Sequence, residues 1–210
     1  MNTVIGIIAV AVVGWFAVGT IWNIGRGRAV MRWMQDGLPV FGARTTVRWL
    51  GSTAAELIIR DGLAPFDAAT VVIFLEPRDM PWLWALTRGR GRRDTLIVRG
   101  ELRRAPDIEF EALNPATWSG REARRALPPE WPVREVAARG GVVVHPANRT
   151  AGERAEVLLA RAERAGLVVQ RLSLRCRGPH FELHVRLPDR RQPARDFFEA
   201  VRALAQPQSA

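Results

Sequence analysis

The stretch GVVVHPANRTAGERAEVLLARAERAGLVVQRLSLRCRGPHFELHVRLPDRRQPARDFFEAVRAL, residues 141–204, carries the clearest structural pattern in the chain. Gly141–His145 reads as a short apolar strand. Thr150, with Glu153 three positions on, has capping-box spacing. Ala155, Leu158, Leu159 and Ala162 then recur on one helical face until Gly166 ends the helix. Val168–Arg177 and His180–Leu187 read as strands joined by a tight turn at Gly178-Pro179. A last helix from about Pro193 to Leu204 turns Phe197, Val201 and Leu204 inward. The order β-α-β-β-α over residues 134–206 predicts a two-layer α+β sandwich with its helices on one face of a sheet. Residues 207–210 read as a frayed tail.

In that sandwich alternate strand residues share a face. Arg171, Ser173, Arg175 and Arg177 fall on the outward side with His180, Glu182, His184 and Arg186. If helices cover only the other side, this face is open and basic. Arg171, Arg175, Arg177 and Arg186 could then receive an acidic protein surface, the alternative being a merely solvated face. Nucleic acid is disfavoured, because RNA-binding sheets stack bases on exposed aromatics and Phe181 points inward. His180, Glu182 and His184 are the residues closest to a metal-ligand set. Positions i and i+4 on a strand lie about 13 Å apart, too far for two imidazoles to chelate one ion, so no metal and no cofactor is expected. Cys176 falls inward with Leu172 and Leu174, as a core residue.

Upstream, residues 44–113 read as β-rich. The candidate strands are Thr45–Leu50, Ala55–Arg60, Thr70–Leu75, Thr95–Leu102 and Asp107–Ala112, with a turn at Asp61-Gly62. The last two suggest a hairpin, since Arg99, Glu101 and Arg103 alternate with apolar residues as do Asp107, Glu109 and Glu111, and opposite charges would pair across it. Residues 114–133 form a Pro-rich linker in which Ser119 and Glu122 have capping-box spacing for one or two helical turns. Whether the β-rich part and the sandwich are separate subdomains or share one sheet is left open by the pattern.

Further upstream, residues 1–25 contain no charge, and Val4–Ile24 is apolar except at Thr20 and Asn23. About 20 such residues span a bilayer as a helix. No basic residue precedes the run and it is longer than a signal peptide's core, so a retained anchor is expected over a cleaved signal. Arg26, Arg28 and Arg32 follow it, which places the N-terminus outside and the C-terminal domain in the cytoplasm of a cell membrane. Gly6, Ala9, Val13, Ala17 and Thr20 share a face on which a partner helix could approach closely. Residues 26–43 form a basic juxtamembrane segment, with a turn at Asp36–Pro39. Two segments suit the headgroup layer: Trp22, Arg26, Arg28, Arg32 and Trp33, and then Trp82, Trp84, Arg88, Arg90, Arg92 and Arg93.

Composition limits the chemistry. The net charge is +10, but all 31 basic residues are Arg, and Tyr is absent. Arg-rich, Lys-free usage follows GC-rich codons and points to a high-GC bacterial genome, so overall basicity says less here about nucleic acid than it usually does. Without Lys there is no Walker A lysine and no Schiff base. Ser52, Ser119 and Ser173 lie outside nucleophile-elbow patterns. A single Cys excludes an intramolecular disulfide. These readings favour a single-pass membrane protein with a cytoplasmic interaction domain, a non-enzymatic accessory or assembly subunit, with lipid and a membrane protein as partners. A module for anionic ligands on the basic face is the alternative, and a metal enzyme is disfavoured.

Overall fold

A 34-residue helix, α1 (Asn2–Gln35), opens the computed structural model, which describes residues 2–135 and 141–206. At 1.5 Å per residue α1 is about 50 Å long. Its most apolar 18-residue window has a mean hydropathy of 2.5 and is only 6% buried, so the helix is long and apolar enough to cross a membrane. The basic segment after residue 25 is no separate element. It continues α1 to Gln35, and a 3-10 turn at Leu38–Val40 follows.

The remainder is mixed α+β. Among the described residues, nine antiparallel-paired strands form one sheet: β1 (Arg44–Trp49), β2 (Ala54–Arg60), β3 (Phe66–Phe74), β4 (Thr95–Leu102), β5 (Phe110–Leu113), β6 (Arg134–Glu135), β7 (Val143–Pro146), β8 (Val169–Leu174) and β9 (Phe181–Arg186). Their order across the sheet is β1-β2-β3-β4-β9-β8-β5-β7-β6. Helices α2 (Pro81–Gly89), α3 (Trp118–Arg125), α4 (Arg149–Arg164) and α5 (Ala194–Ala205) complete the fold. The β-α-β-β-α order expected after residue 134 is present as β7-α4-β8-β9-α5. The two β regions share one sheet and one core, because β4 pairs with β9 and β5 sits between β8 and β7.

The β4–β5 hairpin expected from alternating charge does not form. β4 aligns Leu96 with Val185 and Val98 with Leu183 of β9, and Arg99 meets Glu182 there instead of Asp107 or Glu109. Apolar matching along β9 outweighs a short local charge ladder. Two caps also differ from expectation. Asn148 Oδ1, one residue before α4, accepts from Ala151 N–H at 2.8 Å, and Thr117 Oγ1 accepts from Gly120 N–H at 3.0 Å. Thr150 and Ser119 are therefore inside their helices. Cys176 is exposed, since β8 ends at Leu174 and no longer dictates which way residue 176 faces. The tail expected at 207–210 lies outside the described residues.

The core fills the sheet face covered by α4, α5 and the C-terminal part of α1. Val30 and Met34 of α1 are fully buried. Trp33 rests on Phe197 and Phe198, and its Nε1–H donates to the Gln192 carbonyl at 2.7 Å. Phe198 meets Phe41 edge-on at 5.2 Å. Gly37 is required where α1 passes α5, since a Cβ there would lie 2.4 Å from the Phe198 ring.

Candidate membrane-facing site

Gly19, Asn23, Gly27, Val30 and Met34 recur at helical spacing along α1 and are all buried. This stripe seats the helix on the domain. A Cβ at Gly19 would stand 2.3 Å from the Arg78 carbonyl oxygen, so only glycine lets the loop after β3 lie this close. Trp15 Nε1–H donates to that same carbonyl at 2.9 Å, and the Arg78 guanidinium lies over Trp22, 5.9 Å from the ring centre.

An ionic cluster locks the contact. Asp94 accepts from Arg26 Nε at 2.9 Å, from Arg78 Nη2 at 3.0 Å and from Glu76 N–H at 2.9 Å. Arg78 also donates to Asn23 Oδ1 at 3.3 Å. Glu76 accepts from Arg88 at 3.0 Å and from the Trp84 indole N–H. Burial alone would raise the Asp94 carboxyl, but the hydrogen bonds and charges of Arg78 and Arg26, with the Glu76 N–H, hold it below its ordinary range.

The structure thus gathers Trp22, Arg26, Trp84, Arg88 and Arg93 at one place beside α1. Arg28, Arg32 and Arg90 are exposed, and Arg92 lies over Trp118 at 5.8 Å. Trp33 is not on this surface; its ring completes the aromatic core near α5. Trp82 is 61% exposed, and Leu86, one turn along α2, is also exposed. Trp49, Leu50 and Met80 are exposed too, and Ser52, at the adjacent β1–β2 turn, donates to Asp79 at 3.1 Å. Sequence reasoning missed Glu76, Arg78 and Asp94. Glu76-Pro77-Arg78-Asp79 reads locally as an ordinary polar turn, and only the approach of α1 gives it a role.

The opposite sheet face departs from expectation. It is neither open nor freely basic, because α3 packs over β5 and β8 and carboxylates neutralise the arginines. Arg171 and Arg175 both pair with the fully buried Glu111, Arg175 at 2.9 Å. Arg175 also stacks on Trp131, 4.5 Å from the ring centre. Glu182 receives Arg99 at 3.2 Å, Arg171 at 3.3 Å and His184 Nε2 at 2.7 Å. His184 Nδ1 contacts Ser119 Oγ. Of the four arginines expected there, Arg177 and Arg186 remain exposed, Arg186 lying by Arg26 around a cavity. His180 Nδ1 accepts from Leu102 N–H at 3.0 Å, away from His184. Among the described residues, no three His, Cys, Asp or Glu side chains are placed to hold a metal.

Ser119, His184 and Glu182 have the connectivity of a nucleophile, base and orienting carboxylate. All three residues are buried, and the Ser119 hydroxyl is engaged by His184 Nδ1 and His184 Nε2 by Glu182. The arrangement therefore reads as a satisfied buried network.

Its charges predict acid sensitivity. Burial raises Glu182, but the His184 hydrogen bond and the Arg171 and Arg99 charges outweigh it and hold the carboxyl at about 2 against an ordinary 4.5. Burial lowers His184 below 6.5, partly countered by Glu182, so the imidazole is neutral at neutral pH. Both folded-state pKa values lie below the unfolded ones, so both groups contribute stability at neutral pH that is lost on acidification. Urea titrations should show a first decline below pH 6.5 and a further loss of about 3 kcal/mol as pH falls from 4.5 toward 2. Glu182→Gln should flatten the second decline; an unchanged slope would show that Glu182 does not carry it.

The chain matches no protein-family model and no curated relative. Function therefore rests on the geometry above: one bare apolar helix end, one braced helix end, and an arginine-lined cavity between helix and domain.

Proposed function

We propose that the chain is a single-pass membrane-anchored interaction protein, with its domain held at the base of its own anchor on the cytoplasmic side. It would serve as an accessory or assembly subunit of a membrane complex. One observation carries this reading: α1 is exposed and overwhelmingly apolar from Thr3 to Val18, where the Trp15 indole reaches the Arg78 carbonyl, yet the same unbroken helix is built into the domain from Gly19 to Met34. Thr3–Val18 covers about 24 Å at helical rise, close to the hydrocarbon thickness, and the apolar residues beyond it continue to Ile24. The exposed rim of Trp49, Leu50, Met80, Trp82 and Leu86 suits the bilayer interface. Arg26, Arg28 and Arg32 support a cytoplasmic domain. The uncovered face of Gly6, Ala9 and Val13 supports a neighbouring transmembrane helix.

Membranes carrying the full chain should retain it through an alkaline carbonate wash and release it only into detergent. A reporter fused after Ala210 should be cytoplasmic. Release by carbonate would remove the anchor, and a reporter on the outer face would reverse the orientation. Gentle solubilisation and native electrophoresis should show stoichiometric co-migration with membrane subunits; migration alone would leave an anchored domain without the assembly role.

A further inference from the structure

The cavity between α1, the β3–β4 connection and the β9–α5 loop has a volume of about 590 Å³. Arg26, Arg78, Arg88, Arg93, Arg186 and Arg190 line it, against Glu76, Asp94 and Asp189. Six guanidiniums facing three carboxylates leave a net charge of +3. Two of those carboxylates are spent within the brace on Arg26, Arg78 and Arg88. The third, Asp189, sits on the exposed loop and accepts from Arg191 N–H at 3.2 Å. Among the described residues Arg93 donates to the carbonyl oxygens of Arg88 and Arg92, at 2.8 and 2.7 Å. Among the described residues Arg93, Arg186 and Arg190 have no carboxylate in ion-pair contact. Such a set attracts an anion, and guanidinium forks match phosphate oxygens.

Resting on the anchored reading above, we propose that this cavity binds the phosphate of an anionic phospholipid headgroup. Two features favour a headgroup over a free phosphate ion. The first is depth. Arg26 follows Ile24, the end of the uncharged apolar run, by about 3 Å along α1 and Gly19 by about 10 Å, which is the headgroup layer flanking the hydrocarbon core. The second is shape. The cavity is several times larger than a phosphate group needs, and Val168, Leu187 and Pro188 give it an apolar wall beside the guanidiniums. A glycerol backbone would lie on that wall while the phosphate meets Arg93, Arg186 and Arg190.

The test uses the full chain purified in neutral detergent, with thermal melting and native mass spectrometry as readouts. Short-chain phosphatidylglycerol at saturation should raise the melting midpoint by about 5 °C or more and remain bound in the gas phase. Short-chain phosphatidylcholine and inorganic phosphate should do neither. The Arg186→Gln/Arg190→Gln variant should weaken phosphatidylglycerol binding by at least about tenfold. Both side chains are exposed and, among the described residues, have no ion-pair partner, so the ligand-free midpoint of this variant should stay within about 2 °C of the parent. Should that variant not fold, Arg190→Gln alone carries the comparison. An equal shift with inorganic phosphate would reassign the cavity to a free anion. An equal shift with phosphatidylcholine, no binding, or binding unaltered in the variant would overturn the proposal. Because the protein is already in detergent, these outcomes are separate from the carbonate wash: a chain that binds phosphatidylglycerol but washes off keeps the cavity and loses the anchor.

Discussion

Asp94→Ala should destabilise the protein by about 3–5 kcal/mol, the cost of breaking a buried ion pair by removing one partner. Asp94 is 6% exposed and is shared by Arg26 from α1 and Arg78 from the β3–β4 connection. Without it, two guanidiniums face each other across the helix–domain contact with Glu76 as their nearest remaining acid, and the Glu76 N–H loses its acceptor. The loss is therefore expected where α1 leaves the domain. Urea denaturation in detergent should give the energy, and limited proteolysis near Arg26–Arg32 should show faster cleavage. Asp94→Asn, which keeps an acceptor but not the charge, should fall between parent and Ala. A stability change under 1 kcal/mol for Asp94→Ala would mean that the brace contributes nothing beyond the apolar stripe.

Phe198→Ala should cost about 3–5 kcal/mol, or about 10 °C in melting midpoint for a chain of this size. Phe198 is fully buried and touches aromatic rings from three segments: Trp33 on α1, Phe41 after the 3-10 turn, and its neighbour Phe197. Removing the ring leaves a void bounded by stiff aromatics, which collapse poorly into it, so the upper half of the range is expected. Phe198→Leu should recover more than half of the loss. If Phe198→Ala melts within 2 °C of the parent, the α1–α5 junction is not part of the cooperative core.

Much of this fold is legible in local pattern. The alternation in Phe181–Arg186, the apolar face of Ala155, Leu158 and Leu159, and the continuous apolar run Val71–Ile73 each carry the period or length of one element type. What local pattern does not carry is pairing. Arg99 faces a carboxylate in either arrangement, whether Glu109 on a local hairpin or Glu182 on a distant strand, and only the core packing of Val98 on Leu183 selects the latter. The same limit explains the site. Trp22, Arg26, Arg88 and Arg93 stand out by residue type beside an apolar helix. Arg78 and Asp94 do not, because their importance comes from the close approach that Gly19 permits, and a lone glycine among Gly6, Gly14 and Gly25 has no distinguishing mark in the sequence. The basic face on β8 and β9 is overestimated because Glu111, from a strand expected elsewhere, is what neutralises it.

The position of β5 between β8 and β7 also sets a timetable for the newborn chain. A ribosome releases β4 and β5 well before their neighbours β8 and β9 exist. Roughly 70 residues separate Leu113 from Arg186, and at 5–20 residues per second they take about 4–15 s to synthesise. Through that interval the β4 edge, with Leu96, Ile97 and Val98, has no partner on its outer side, and open apolar edges are where chains associate wrongly. The sheet is completed only when the last third of the protein has emerged, because β4 and β8 share β9 as their common neighbour.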